Sequence, residues 1–271
     1  MERRTSRAPA VGVVCAATWR RSGRDQTSPR FAFSRLAGSI LALQLLAVPA
    51  AAEACVDAAA LAHSTVNITR YFDGSNGKGD PDLLGIRGTG WFLSETTMVT
   101  AEHVVTAMEL LDQRWNQVEV VQGQIKQFVD MRIQRVAGSN SEKIAVLELR
   151  NRFAGAQGLR IRPEPVAREE QVVSLVYPGN RLRFVQGRFV EYGDAERFAG
   201  AALLEMYDGN DRLALDHGAS GAPVLDCDGR VVAVISNIFT QTLHFPFRDI
   251  RVSTAWGSPN VVSIPIQVLD R

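Results

Sequence analysis

The chain has 271 residues, of which 46% are apolar and 22% are charged, and its formal net charge is +1. These values exclude an intrinsically disordered chain and a collagen-like one. Residues 53–271 hold 22 basic and 27 acidic side chains, a balance that argues against nucleic-acid binding.

The first 52 residues are predicted to be a leader with a signal peptide. Arg30 and Arg35 form a basic flank, the apolar run 36–48 follows, and three alanines occupy 50–52. This order is typical of a secretory signal. A membrane-spanning helix needs roughly 20 apolar residues, so we expect no permanent anchor, with an uncleaved N-terminal anchor as the alternative. The predicted location is therefore outside the cytoplasm, either periplasmic or extracellular.

The cysteines constrain the domain that follows the leader, residues 53–271. Cys15 lies within the leader, which leaves Cys55 and Cys227 for the mature chain. In an oxidising compartment the two residues form a disulfide, and two buried free thiols are the alternative. The sequence holds no CxxC, no HExxH and no cluster of cysteine and histidine, so we expect no metal site and no cofactor.

Short β-prone runs dominate the chain from about Val66 onward, and they are separated by Gly, Asn, Asp and Pro. The residues 71–90 and 151–167 are predicted to be loops, and the second loop suits a connection between two halves of the fold. Helical periodicity is almost absent, which favours an all-β sandwich or barrel. The clearest strands are 118–121, 128–136, 144–149, 171–177, 184–192, 202–207 and 230–236.

His103 is the first candidate for chemistry. Residues 88–100 predict two strands joined by a turn at 94–97, and a short helical turn begins around Ala101. His103 is thereby presented at a strand end. Imidazole is the side chain most often used as a general base, although a single histidine is more often structural.

Ser220 is the second candidate, because it stands between glycines in a segment that ends in an apolar strand. Gly218 allows the backbone to turn without a Cβ clash, so the N–H groups of Gly218 and Ser220 can point at one spot. Two such donors form an oxyanion hole, which stabilises negative charge on a carbonyl oxygen. A glycine-rich turn without chemistry is the alternative.

Together the two segments resemble the trypsin-like serine peptidases, especially bacterial secreted ones related to glutamyl endopeptidases and the HtrA group. TAEHVV at 100–105 resembles the box around their general base, and GASGAPV at 218–224 resembles the box around their nucleophile. VVAVIS at 231–236 is similar to the strand that lines their substrate cleft, and NVVSIPI at 260–266 to the closing segment of HtrA-type domains.

The resemblance implies an all-β fold of two six-stranded, antiparallel Greek-key barrels with a short C-terminal segment. The first barrel is expected at about 60–155 and the second at about 165–260. His103 comes from the first and Ser220 from the second. The remaining chain leaves no room for a PDZ domain.

The resemblance also implies peptide hydrolysis through an acyl-enzyme on Ser220, with protein or peptide substrates. Ala214 corresponds to the base of the specificity pocket, and His217 and Ser236 are expected to border the substrate. Because Ala214 is not acidic, the resemblance implies a small or apolar side chain before the scissile bond.

The family places a carboxylate directly before the strand that corresponds to 144–149, where this chain has Lys143. Glu142 lies one position earlier. Three interpretations stay open: Glu142 orients His103 through a one-residue bulge, His103 and Ser220 form a weak dyad, or the domain is inactive. The sequence therefore predicts an exported serine endopeptidase, with a catalytically inactive, protein-binding homologue as the alternative.

Overall fold

The computed structural model describes residues 55–72, 85–110, 114–138, 141–179, 181–195, 198–209, 215, 217–245, 248–253 and 257–270. The predicted leader and Ala214 lie outside this part of the chain. Among the described residues, no helix combines the length and the apolar character needed to cross a membrane.

Six antiparallel strands close the first barrel. They are β1 (Thr65–Tyr71), β2 (Gly85–Ser94), β3 (Thr97–Ala101), β4 (Asn116–Gln122), β5 (Ile125–Ala137) and β6 (Ile144–Leu149). Their order around the barrel is β1-β2-β3-β6-β5-β4, so β4 pairs with β1 beside the consecutive strands β1, β2 and β3. This neighbourhood is the Greek-key arrangement.

The second barrel is built in the same way from β8 (Gln171–Val176), β9 (Arg183–Ala195), β10 (Phe198–Tyr207), β11 (Pro223–Leu225), β12 (Arg230–Ile238) and β15 (Val261–Pro265). Pairing between β11 and β12 closes it, and the short β7 (Arg160–Ile161) adds to β12 in parallel. A separate hairpin, β13 (Thr240–Phe245) and β14 (Arg248–Ser253), is inserted between β12 and β15. The predicted all-β double barrel is confirmed.

Helices are few and short in the described part of the chain. They are α1 (Ala58–Leu61) before the first barrel, α2 (Glu102–Ala107) after β3, and a 3₁₀ helix (Ile266–Asp270) at the C-terminal end. The side chain of Asp57 caps α1 by accepting a hydrogen bond of 2.9 Å from the Ala59 N–H.

The loop predicted at 71–90 extends too far along the chain, because β2 already begins at Gly85. The strand β1 pairs with it without interruption, from Thr65 opposite Trp91 to Tyr71 opposite Gly85. Its glycines permit close packing: a Cβ on Gly88 would lie 2.5 Å from a Val104 methyl group. Glycine in a strand often marks such an approach rather than a loop. The β13–β14 hairpin was not predicted.

The N-terminal end of the described domain is covalently linked to the chain just beyond β11. Cys55 and Cys227 form a disulfide, with their Cα atoms 4.9 Å apart. Beside it, Asp226 is 2% exposed and binds both Arg230 and Arg162, whose guanidinium also contacts Glu170. This charged cluster joins Arg162, which lies between the two barrels in the sequence, to the turn between β11 and β12.

Candidate active site

His103 stands in the first turn of α2, directly after β3. The Glu102 N–H donates to the Lys143 carbonyl at 2.8 Å, which fastens the start of α2 to the chain before β6. Val104 and Val105 are buried and hold the helix against the barrel. The backbone of His103 is therefore held in place, while its side chain is 41% exposed.

Glu142 supplies the carboxylate that faces His103. Its Oε2 atom lies 3.2 Å from His103 Nδ1. The pairing of β3 with β6 runs in regular register from Thr97 opposite Glu148 to Ala101 opposite Ile144. Glu142 lies in a bend before this pairing begins. The bend, rather than a bulge within the strand pair, brings Glu142 to the imidazole, because strand alternation no longer applies there.

Ser236, on β12, is the second partner of this carboxylate. Its hydroxyl donates a hydrogen bond of 2.6 Å to Glu142 Oε2, and the residue is 2% exposed. The hydrogen bond with His103 lowers the pKa of Glu142 below its ordinary value, burial opposes that change, and the bond from Ser236 adds to it. Glu142 is thus held as a carboxylate.

Ser220 lies in a tight turn between two glycines with positive φ, +102° at Gly218 and +90° at Gly221. A Cβ on Gly218 would lie 2.6 Å from the Tyr177 carbonyl oxygen, and one on Gly221 would lie 2.1 Å from Thr89 O. Only glycine fits both positions. The Ser220 hydroxyl donates to the Ser236 carbonyl at 2.8 Å, and no hydrogen bond joins it to His103 within the described residues.

The same turn orients two backbone N–H groups. The His217 carbonyl accepts from the Gly179 N–H at 3.2 Å, and the Ala219 carbonyl accepts from the Ala222 N–H at 3.2 Å. In a trans peptide the C=O and N–H point in opposite directions. The N–H of Gly218 therefore points away from Gly179, and that of Ser220 points away from Ala222.

His103 and Ser220 both line one open cavity of about 590 Å³. His217, Gly218 and Ser236 line the same cavity. The start of β2, residues 85–87, and further residues of α2 complete the lining on the first-barrel side. The predicted base, nucleophile and oxyanion-turn residues are thus brought to a single cleft between the barrels.

The family model for the trypsin-like peptidase domain matches residues 88–234, which is more than half of the chain. The chain belongs to this family.

Solved structures of proteases share the fold of this trypsin-like peptidase domain. The Rv3671c protease from M. tuberculosis in its active form is 21% identical, with a TM-score of 0.50 over 78% of this chain and 80% of that chain. The HtrA-type protease AlgW with tripeptide is 15% identical, with a TM-score of 0.51 over 77% of this chain and 58% of that chain. At such identities the likeness shows the fold alone. No curated protein sequence matches the chain.

A smaller cavity of about 120 Å³ opens beside Ser220 in the trypsin-like peptidase domain. The apolar side chains Leu215, Ala219, Ile235 and Ile238 line it, together with His217, Ser236 and Asn237. None of these described lining residues is acidic. The cavity is therefore suited to a short aliphatic group.

Several lining residues were missed by sequence reasoning. Asn237 and Ile238 follow directly after the strand predicted to line the cleft, so extending that strand by two residues would have found them. Arg87 and Ile86 were hidden in the segment predicted as a loop. In the described part of the chain, no group of three or more His, Cys, Asp or Glu side chains is placed to hold a metal ion.

Proposed function

We propose that this protein is an exported serine endopeptidase that hydrolyses peptide bonds through an acyl-enzyme on Ser220. The observation that supports it best is the contact of 3.2 Å between Glu142 and His103, in the cleft that also holds Ser220. A carboxylate at Nδ1 fixes the imidazole tautomer and stabilises the imidazolium that forms during catalysis.

The reaction begins with a rotation of the Ser220 side chain from the Ser236 carbonyl toward His103. His103 then accepts the hydroxyl proton as Ser220 attacks the peptide carbonyl, and it gives this proton to the leaving amine as the C–N bond breaks. Water, activated by His103, next attacks the acyl-enzyme, which releases the acid product and regenerates Ser220. Catalytic hydrogen bonds are often long or poorly aligned without substrate and tighten in the substrate complex, so the Ser220–Ser236 contact is compatible with this step. The N–H groups of Gly218 and Ser220 serve as the oxyanion hole.

The substrate residue before the scissile bond is proposed to be small and aliphatic, such as alanine or valine. A cavity of about 150 Å³ is large enough for benzene. The 120 Å³ cavity beside Ser220 is smaller, and its described apolar lining offers no charge partner for Arg or Lys.

Labelling with a fluorophosphonate tests the proposal, because the probe reacts only with an activated serine. We expect the wild-type chain without residues 1–52 to be labelled, Ser220→Ala to be unlabelled, and His103→Ala to be labelled much more slowly. Ser174→Ala, which removes a buried hydroxyl elsewhere in the second barrel, is the matched control and should label normally. A folded wild-type domain that stays unlabelled would favour the inactive, protein-binding alternative.

Export is tested separately by N-terminal sequencing of the protein recovered from the cell envelope or medium. We expect a mature chain that begins shortly after residue 52. A full-length cytoplasmic product would contradict the predicted leader.

A further inference from the structure

Thr89 connects the first barrel to the turn that carries Ser220. It lies on β2 and is fully buried, with 0% exposure. Its backbone N–H donates to the Ser220 carbonyl at 2.9 Å, and its hydroxyl donates to the Gly218 carbonyl at 2.6 Å. The same hydroxyl accepts the Tyr177 N–H at 3.1 Å. One side chain thus meets two backbone segments of the second barrel.

The Thr89 hydroxyl has one proton, and its two contacts show which group receives that proton. The Tyr177 N–H can only donate, so the Thr89 proton is directed to the Gly218 carbonyl. Gly218 has the broad conformational freedom of glycine, so the peptide after it is free to rotate unless its carbonyl is bound. A buried carbonyl that lost this partner would carry an uncompensated desolvation cost.

The close packing of β2 limits the positions that the Thr89 hydroxyl can occupy. A Cβ on Gly88 would lie 2.5 Å from a Val104 methyl group, and one on Gly90 would lie 2.8 Å from Met98 Sδ. The Thr100 hydroxyl adds a hydrogen bond of 2.7 Å to the Thr89 carbonyl. Thr89 therefore has little room to move relative to the turn that it contacts.

We propose that Thr89 is a positioning residue for the oxyanion hole: by holding the Gly218 carbonyl it holds the turn that carries the two N–H donors. This inference rests on the proposed peptidase function. The peptide before Gly218 is held by Gly179 and the peptide after it by Thr89. The N–H of Gly218 lies in the first of these planes, and Thr89 restrains the second, so the backbone torsions of Gly218 are limited from both sides. Loss of the Thr89 hydroxyl releases one of the two restraints.

Two substitutions test separately the roles of the Thr89 hydroxyl and of the shape of its side chain. Thr89→Val keeps the volume and removes the hydroxyl, whereas Thr89→Ser keeps the hydroxyl and removes a methyl group. Ser174→Ala is the matched control, because the buried Ser174 hydroxyl donates to the Pro223 carbonyl at 2.7 Å without touching the Ser220 turn. Thermal unfolding of all three variants checks that each is folded at the assay temperature.

The kinetic readout is the hydrolysis of a tripeptide p-nitroanilide that ends in alanine. Removing one oxyanion donor costs about 10² to 10³ in kcat, and a misplaced donor costs less. We expect Thr89→Val to lower kcat about 10- to 100-fold with KM nearly unchanged, because the contact forms in the transition state. Thr89→Ser should restore most of kcat, and Ser174→Ala should keep it.

Crystal structures of the same variants provide a readout that does not depend on activity. We expect the Gly218 carbonyl to be rotated in Thr89→Val and to keep its place in Thr89→Ser. An unchanged Gly218 peptide in Thr89→Val, or an unchanged kcat, would overturn the inference. If the wild-type domain is inactive, the proposed function fails, and the position of the Gly218 carbonyl alone decides whether Thr89 orients the turn.

Discussion

Glu142 and Ser236 meet across the seam between the two barrels, where the Ser236 hydroxyl donates a hydrogen bond of 2.6 Å to Glu142 Oε2. The same carboxylate oxygen lies 3.2 Å from His103 Nδ1. The Ser236 carbonyl in turn accepts the Ser220 hydroxyl at 2.8 Å. A continuous series of contacts thus joins the candidate base to the candidate nucleophile, and it depends on residue 142 rather than residue 143.

Replacing Glu142 by glutamine tests whether this carboxylate orients His103. The change keeps the shape of the side chain but removes the negative charge that stabilises the imidazolium. Neutralising the corresponding group in a serine protease costs about 10⁴ in kcat. We therefore expect Glu142→Gln to lower kcat for a peptide p-nitroanilide about 10³- to 10⁴-fold and to slow fluorophosphonate labelling.

Lys143→Ala is the control, since the neighbouring residue contacts α2 through its backbone carbonyl, which the change retains. We expect its kcat to stay within about threefold of wild type. Equal, measurable rates for Glu142→Gln and wild type would show that His103 and Ser220 work as a dyad without this carboxylate.

The pH dependence of stability provides a second test of Glu142. Its pKa is lowered mainly by the hydrogen bond with His103, against the opposing effect of burial. A carboxyl group with a lowered pKa in the folded state contributes stability that is complete above its unfolded pKa, about 4.3, and is lost as the pH falls through the folded pKa.

We therefore expect the free energy of unfolding of the wild-type domain to fall more steeply below about pH 4.3 than that of Glu142→Gln. Urea unfolding at a series of pH values measures the difference between the two slopes. Ser236→Ala removes the smaller of the two hydrogen-bond contributions and should give an intermediate slope. Identical slopes in all three proteins would contradict the lowered pKa.

Much of this site could be predicted because its chemistry depends on short local patterns. Ser220 lies between two glycines that its turn requires, and His103 follows a strand that ends where the pattern predicts. Short β-prone runs bounded by Gly, Asn, Asp and Pro likewise located most strands of both barrels. These features are set by backbone sterics and burial, which a sequence reports directly.

The position of Glu142 could not be settled in the same way. Sequence spacing pointed to Lys143, and only a bend before β6 brings the preceding residue to His103. The first residues of β2, 85–87, were also missed, because the glycine-rich segment 71–90 was interpreted as a loop. Both points concern contacts between distant segments, which local patterns do not encode.

The small cavity beside Ser220 predicts how substrate preference will change on mutation. Ile238 lines it at the end of β12. Replacing Ile238 by alanine removes three carbon atoms from the wall, and each methylene in such a pocket is worth roughly 10- to 200-fold in discrimination. We expect Ile238→Ala to raise the ratio of kcat/KM for phenylalanine over alanine before the scissile bond by about tenfold or more.

Paired peptide p-nitroanilides that differ only in that residue measure the ratio. Ile125→Ala is the control, since Ile125 is 45% exposed in the first barrel and lines neither cavity beside Ser220. Its ratio should equal that of wild type. A wild-type preference for phenylalanine or arginine would contradict the proposed small pocket.

The charged cluster around Asp226 predicts a large effect on stability. Asp226 accepts hydrogen bonds from the backbone N–H groups of Asp228 and Arg230, at 3.0 and 2.9 Å, and pairs with the side chains of Arg230 and Arg162. Its side chain is only 3% exposed. Removing one partner of a buried ion pair costs about 3–5 kcal/mol, and here it also leaves two backbone N–H groups without their acceptor. Arg162 keeps Glu170 and Arg230 keeps Asp228, so the lower end of this range, about 3 kcal/mol, applies.

We expect Asp226→Ala to lower the free energy of unfolding by about this amount in urea denaturation. Asp228→Ala, two residues away, is the matched control: its side chain is 71% exposed and pairs with Arg230 at the surface. Exposed ion pairs contribute at most about 1 kcal/mol, so this variant should unfold close to the wild-type midpoint. Equal losses in both variants would mean that the turn itself, rather than the buried charge pair, carries the stability, since both substitutions perturb the same loop.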